Sequence, residues 1–149
     1  LLRARSRDNA RTPMQWTAGA QAGFTSGTPW LRVNPNHVEI NAEAAVRDPH
    51  GIYAHYRALI RLRKTQRVVQ DGDYSQLLAD HPQIFAYRRE NDAATLIVLA
   101  NFYGEVAKTP LAGTAGYRLL LGNYADSPAA LAEDVLLRPY EALIYLREK

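Results

Sequence analysis

The densest cluster of chemistry-bearing side chains lies in the run Ser6-Arg7-Asp8-Asn9-Ala10-Arg11-Thr12-Pro13-Met14-Gln15-Trp16. Two arginines stand four apart with a carboxylate and an amide between them, beside a proline that fixes one backbone torsion. A guanidinium keeps its charge and offers several donors in one plane, which suits paired hydroxyls and carboxylates. The tryptophan has two uses, stacking on the apolar face of a sugar or anchoring the loop by burial. From residue types alone both a ligand site and a salt-bridged structural loop stand, and the loop is the commoner outcome.

The usual catalytic signatures are absent elsewhere. Gly19, Gly23 and Gly27 are spaced for turns rather than for a dinucleotide fingerprint, and there is no Walker-type phosphate loop. No His-Glu-x-x-His pair and no Gly-x-Ser-x-Gly elbow occurs. Zero cysteines exclude a disulfide scaffold, a Cys-ligated zinc and a Cys nucleophile. His50 and His55, five apart on a predicted helix, diverge by about 140° and cannot share a metal. Glu133 and Asp134 are neighbours in a predicted strand, so they face opposite ways and make poor acid–base partners. Neither a metal nor an organic cofactor is implied.

Three regions must position these groups. Residues 1–47 carry Gly19, Gly23, Gly27, Pro13, Pro29 and Pro35, too much punctuation for long regular elements. Such a long irregular stretch belongs to a functional loop or to missing context. Residues 48–67 read as a helix, with Asp48 as cap, Pro49 in the first helical position, and an apolar face of Ile52, Tyr56, Leu59 and Ile60. Arg63 continues that face as a snorkelling side chain or a buried ion pair. Residues 68–149 read as β, with runs at Tyr74–Leu78, Gln83–Arg89, Thr95–Phe102, Tyr117–Gly122, Asp134–Leu137 and Ala142–Leu146. Glu90–Ala93 is the hairpin connection between the second and third runs. Thr95–Ala100 is apolar on both alternating sets, which predicts a central strand covered on both faces. Six short strands in such a span suggest an antiparallel sandwich.

The 149 residues, with 47% hydrophobic and 22% charged, fit one ordinary domain or two small pieces and exclude a disordered chain. No apolar run approaches the ~20 residues of a membrane helix. Residues 1–67 carry eleven Lys/Arg against four acids, whereas 68–149 carry seven against eleven. A basic half first suggests nucleic acid, but its charges are scattered with no interleaved aromatic platform, as on a solvated or partner-facing surface. No nucleic-acid or membrane partner is expected, and the expected location is cytoplasmic. The chain opens on Leu1 without a leader and reads as a piece of something longer.

Arg7–Trp16, followed by Ala22-Gly23-Phe24-Thr25-Ser26-Gly27-Thr28-Pro29-Trp30 and Val33-Asn34-Pro35-Asn36, resembles the oligo-1,6-glucosidase branch of the α-amylase superfamily (glycoside hydrolase family 13). Ala58-Leu59-Ile60-Arg61-Leu62-Arg63-Lys64 looks like that family's last barrel helix. Pro82-Gln83-Ile84-Phe85-Ala86-Tyr87 and Pro139-Tyr140-Glu141-Ala142 look like its C-terminal β domain. The resemblance implies an α/β parent enzyme: residues 1–67 end a (β/α)8 TIM barrel, as loop plus last helix, and 68–149 form an all-β antiparallel sandwich, domain C.

The implied chemistry is retaining hydrolysis of α-glucosidic bonds by two carboxylates. By the same resemblance the carboxylates lie upstream, so no catalytic residue is expected in this chain and the chain alone should be inactive. Arg7 matches an arginine that reaches the glucose at the cleavage site. Arg11 matches its partner four residues on, which binds that sugar or pins the loop. The implied partners are an α-linked gluco-oligosaccharide and the missing N-terminal barrel of the same chain. Thr17 departs from the pattern, where relatives carry an acid, and a loop tether is in question there. Trp16 and Trp30 are expected to pack.

An alternative of another class is a free-standing carbohydrate-binding β module without catalysis. Tyr74, Tyr87, Tyr103, Tyr117, Tyr124 and Tyr140 would form its stacking platform, although strand propensity and core filling explain them more simply.

Overall fold

The computed structural model describes the backbone of residues 7–149 and the side chains from Asp8 onward, Asn9 excepted. Two units result, Leu1–Arg57 and Ala58–Lys149, and the division falls inside a helix, Ile52–Thr65.

In the second unit the doubly apolar run becomes the centre of a sheet, as its alternation predicts. Strands β1 (Asp73–Leu77), β2 (Ile84–Glu90), β3 (Ala94–Asn101), β4 (Ala107–Pro110), β5 (Arg118–Gly122), β6 (Asp134–Leu137) and β7 (Ala142–Glu148) pair only antiparallel. Five of them form a sheet in the order β1-β2-β3-β7-β5, and β4 with β6 forms a two-stranded ribbon. One face of β3 gives Ile97 and Leu99 to a core shared with Ile84, Ala86, Leu143 and Tyr145 of the sheet and with Ala107, Val135 and Leu137 of the ribbon. The other face gives Ala94 and Leu96 to a smaller cluster with Leu146 and Val68. Burying aliphatic side chains on both faces contributes roughly 1.5–3 kcal/mol each. The buried Tyr145 phenol donates to Pro128 O at 3.0 Å, so its polar end is satisfied.

The hairpin at residues 90–93 forms where Asn91 and Asp92 announce it. Asn91 Oδ1 accepts from the amides of Ala93 and Ala94 at 3.1 and 3.0 Å. Strand β4, Ala-Lys-Thr-Pro, has weak β-propensity and is not among the predicted runs. Long-range pairing holds it: Ala107 sits opposite Leu137, and the Thr109 hydroxyl donates to Val135 O at 3.0 Å. His81 is structural, its Nδ1 accepting from the amides of Gln83 and Ile84 while Nε2 donates to Lys108 O.

The helical region differs from the sequence reading. Helix α1 covers Ala42–Arg47, with Asn41 Oδ1 capping Ala44 N–H at 2.9 Å, and Asp48 stands at its C-cap. Asp48 therefore does not open the next helix. Its Oδ1 accepts from His50 N–H at 2.9 Å, because a short carboxylate competes for amides two residues on. Gly51 closes this turn, where a Cβ would lie 2.8 Å from Asp48 Oδ2, and α2 (Ile52–Thr65) starts after it. Gln66 breaks the helix, and α3 (Arg67–Asp71) follows, mostly within the region read as β. Arg89 donates to Val68 O and Gly72 O at 3.2 and 2.7 Å, putting a cation at the C-terminal end of α3. Helix α2 buries none of its residues, and Ile52 is 83% exposed.

A buried acid ties together the sheet's end. Glu141 is 2% exposed and accepts from Arg138 N, Nε and Nη2 at 2.8, 3.1 and 2.6 Å. Arg138 also bonds Asp126 at 2.6 Å and lies 3.9 Å over the Tyr124 ring. Burial works to raise the Glu141 carboxyl, but the hydrogen bonds and charge of Arg138 outweigh it and hold the group below the ordinary carboxylate range.

Candidate functional site

The run carrying both arginines begins in a single 3-10 turn, Arg7–Ala10, closed by Arg11 N–H donating to Asp8 O at 3.1 Å. The structure thus sets Arg7 and Arg11 at the two ends of one tight turn. The side chain of Arg7 lies outside the described residues, and that of Arg11 is exposed. Pro13, two residues on, is buried and anchors the run.

Two neighbouring segments hold this run from behind. The amides of Trp16 and Thr17 both donate to Ala22 O, at 2.9 and 3.0 Å. Gln21, Ala22 and Gly23 have φ of +50°, +55° and +67°, so the chain doubles back through three left-handed residues. For a residue with a Cβ this costs roughly 1–2 kcal/mol. Ala22 is buried, and its carbonyl takes two donors at once, which offsets that strain. The Thr17 hydroxyl accepts from Gly19 N–H at 3.2 Å. The loop therefore keeps a tether at the position where an acid was expected.

The second clamp was not legible beforehand. Gln15 Nε2 donates to Asn36 Oδ1 at 3.0 Å and to Ile40 O, while its own carbonyl accepts from Ala42 N–H at 2.8 Å. Glu43 N–H donates to Trp16 O at 3.0 Å. Asn41 is buried, caps α1 with its Oδ1 and donates from Nδ2 to His37 O at 2.9 Å. The amide residues at 15, 36 and 41 are ordinary loop residues in sequence, and only their long-range pairing marks them as the clamp.

Among the described residues neither tryptophan is buried: Trp16 is 51% and Trp30 88% exposed. Trp30 instead stands at a cleft of about 540 Å³ with Arg32, Val33 and His37. The six tyrosines do not make one platform. Tyr117 is buried under Arg147, and Tyr124 lies beneath Arg138. Among the described residues no group of three or more His, Cys, Asp and Glu side chains could hold a metal. No helix among them is long and apolar enough to cross a membrane.

Residues 1–72 match the family described as alpha amylase, catalytic domain. The oligo-1,6-glucosidase of Halalkalibacterium halodurans is 46% identical over 97% of this chain and 26% of its own length. The crystal structure of Bacillus licheniformis trehalose-6-phosphate hydrolase superposes with a TM-score of 0.87 at 40% identity, over 99% of this chain and 27% of that one. The trehalulose synthase MutB from Pseudomonas mesoacidophila MX-45 gives 0.82 at 39%, over 97% and 26%. The chain is therefore a relative of the oligo-1,6-glucosidases of the α-amylase superfamily. It spans about a quarter of the length of the curated relatives it matches.

Proposed function

We propose that this chain forms the C-terminal part of a retaining α-glucosidase that hydrolyses α-glucosidic bonds, chiefly α-1,6, of small oligosaccharides. The single observation that carries the reading is 46% identity to an oligo-1,6-glucosidase across nearly the whole chain, the Arg7–Trp16 run included. In this reading residues 1–67 complete a (β/α)8 barrel and 68–149 form the β-sandwich domain C. Barrel active sites are built from loops at the strands' C-terminal ends, which is where a long loop carrying an exposed Arg11 belongs.

Arg7 and Arg11 contribute positioning and charge. Each presents donors to the hydroxyls of the glucose at the cleavage site and orients an ionised carboxylate beside it. One carboxylate attacks the anomeric carbon to give a glycosyl-enzyme, and a second protonates the leaving oxygen and then activates water. Both come from the barrel outside this chain, so the chain alone has no hydrolytic activity. The sandwich stabilises the barrel rather than choosing the substrate.

The test uses a chromogenic α-glucoside and isomaltose with the full-length enzyme and with the isolated chain. Hydrolysis is expected from the first only, with kcat/KM reduced in Arg7→Ala. Turnover by the purified chain that survives Arg7→Ala would overturn the assignment of the carboxylates to the barrel.

A further inference from the structure

We infer that Gln15 is a positioning residue for the arginine loop, acting on substrate through Arg11; this rests on the function proposed above. Four observations carry it. First, the side-chain amide of Gln15 spends both its donors on one distant segment, Asn36 Oδ1 and Ile40 O. Second, the backbone at the same point accepts from that segment's helix start, through Ala42 N–H to Gln15 O and Glu43 N–H to Trp16 O. Third, the segment is itself rigid: Asn34 Oδ1 accepts from Asn36 N–H, the His37 ring donates to Asn34 O, and Asn41 bonds both His37 O and Ala44 N–H. Fourth, only Thr12, Pro13 and Met14 separate Gln15 from Arg11, and Pro13 is buried with a fixed φ. A short, stiff arm with a double hydrogen-bonded foot transmits the position of residue 15 to residue 11.

The foot matters because Arg11 is exposed and, among the described residues, the turn that ends at it is closed by one backbone bond, to Asp8 O. A guanidinium recognises hydroxyls by direction as well as by charge, so a displacement near 1 Å reduces the fit steeply. Gln15 spends its amide donors on Asn36 and Ile40, so it is a positioning residue and not a catalytic one.

The experiment is a double-mutant cycle in the full-length enzyme, with KM and kcat for isomaltose measured in wild type, Gln15→Met, Arg11→Ala and the double variant. Gln15→Met keeps the shape and loses both donors. It should raise KM about tenfold, equivalent to about 1.4 kcal/mol of binding, with kcat changed less than about threefold. In the Arg11→Ala background it should change KM less than about twofold, because the group it positions is gone. Gln15→Lys, which keeps a donor, should restore most of the loss and also serves if the methionine variant folds poorly. An equal factor in both backgrounds, or a fall in kcat alone with KM unchanged, means a folding role and overturns the inference. If Arg7→Ala and Arg11→Ala both behave as wild type, the substrate-contact reading itself fails, a result distinct from Gln15→Met alone being silent.

Discussion

Replacing Glu141 by Gln should lower stability by about 2 kcal/mol at pH 7, and the loss should shrink on acidification. At neutral pH the carboxylate takes three bonds from Arg138, and removing one partner of a buried ion pair typically costs about 3–5 kcal/mol. Two features reduce that figure here. Arg138 keeps Asp126 and the Tyr124 ring, and its side chain is a third exposed. Glutamine also retains one acceptor oxygen, although its amide nitrogen now faces a donor. A loss of about 2 kcal/mol corresponds to a fall in Tm on the order of 4–10 °C.

The pH dependence follows from the lowered carboxyl. Its contribution is complete above the unfolded-state value, near 4.5, and disappears as pH falls through the lower folded-state value. Denaturant unfolding followed by far-UV circular dichroism at pH 7, 5, 4 and 3 measures the difference between the two proteins. Asp71 and Glu90 are also held low by their partners, but they lie apart from Arg138 in both proteins and cancel. A difference that stays constant from pH 7 to pH 3, or one below about 0.5 kcal/mol at pH 7, would refute the assignment of the stabilisation to the ionised pair.

Gly72→Ala should destabilise by about 2 kcal/mol or more in a thermal melt, because its Cβ would lie 2.5 Å from Val68 O and 3.1 Å from Glu90 N, both backbone atoms; an unchanged melt would show that α3 shifts freely. Tyr145→Phe should cost about 1 kcal/mol by denaturant titration, since it strands Pro128 O without its donor. The isolated chain should self-associate with concentration in sedimentation velocity and bind a hydrophobic dye, because Ile40, Val46, Ile52, Tyr56 and Ile60 are all exposed. A clean monomer without dye binding would contradict that.

How far the residues announce the fold depends on whether the deciding interaction is local. The 90–93 hairpin is a local Asn side-chain bond, and β3 is a pattern of apolar residues on both faces; both are visible in a short window. Strand β4 is held by partners near residue 135, and no window around Ala107 contains them. Asp48 looked like a cap because Pro49 follows it, yet the same carboxylate serves an amide two residues away and Gly51 delays the helix. The arginine pair stands out by type and spacing, which leave a ligand site and a structural loop both open; the substrate role proposed for it comes from the family resemblance. The amides that hold it do not stand out, since Gln15 meets Asn36 and Ile40 across 21 and 25 residues.

The sheet order has a consequence for how the second unit is made. Strand β7 is synthesised last of the seven, yet it lies between β3 and β5. A nascent chain that has reached residue 141 can form the β1-β2-β3 meander from neighbouring hairpins, but β5 has no partner in the sheet, because its only one is β7. Residues 118–122 are therefore held on one side only, through Leu119 N–H to Ala129 O and the bridge of Arg118 with Ala130, until Ala142–Glu148 is made and fills the gap between β3 and β5 in one step.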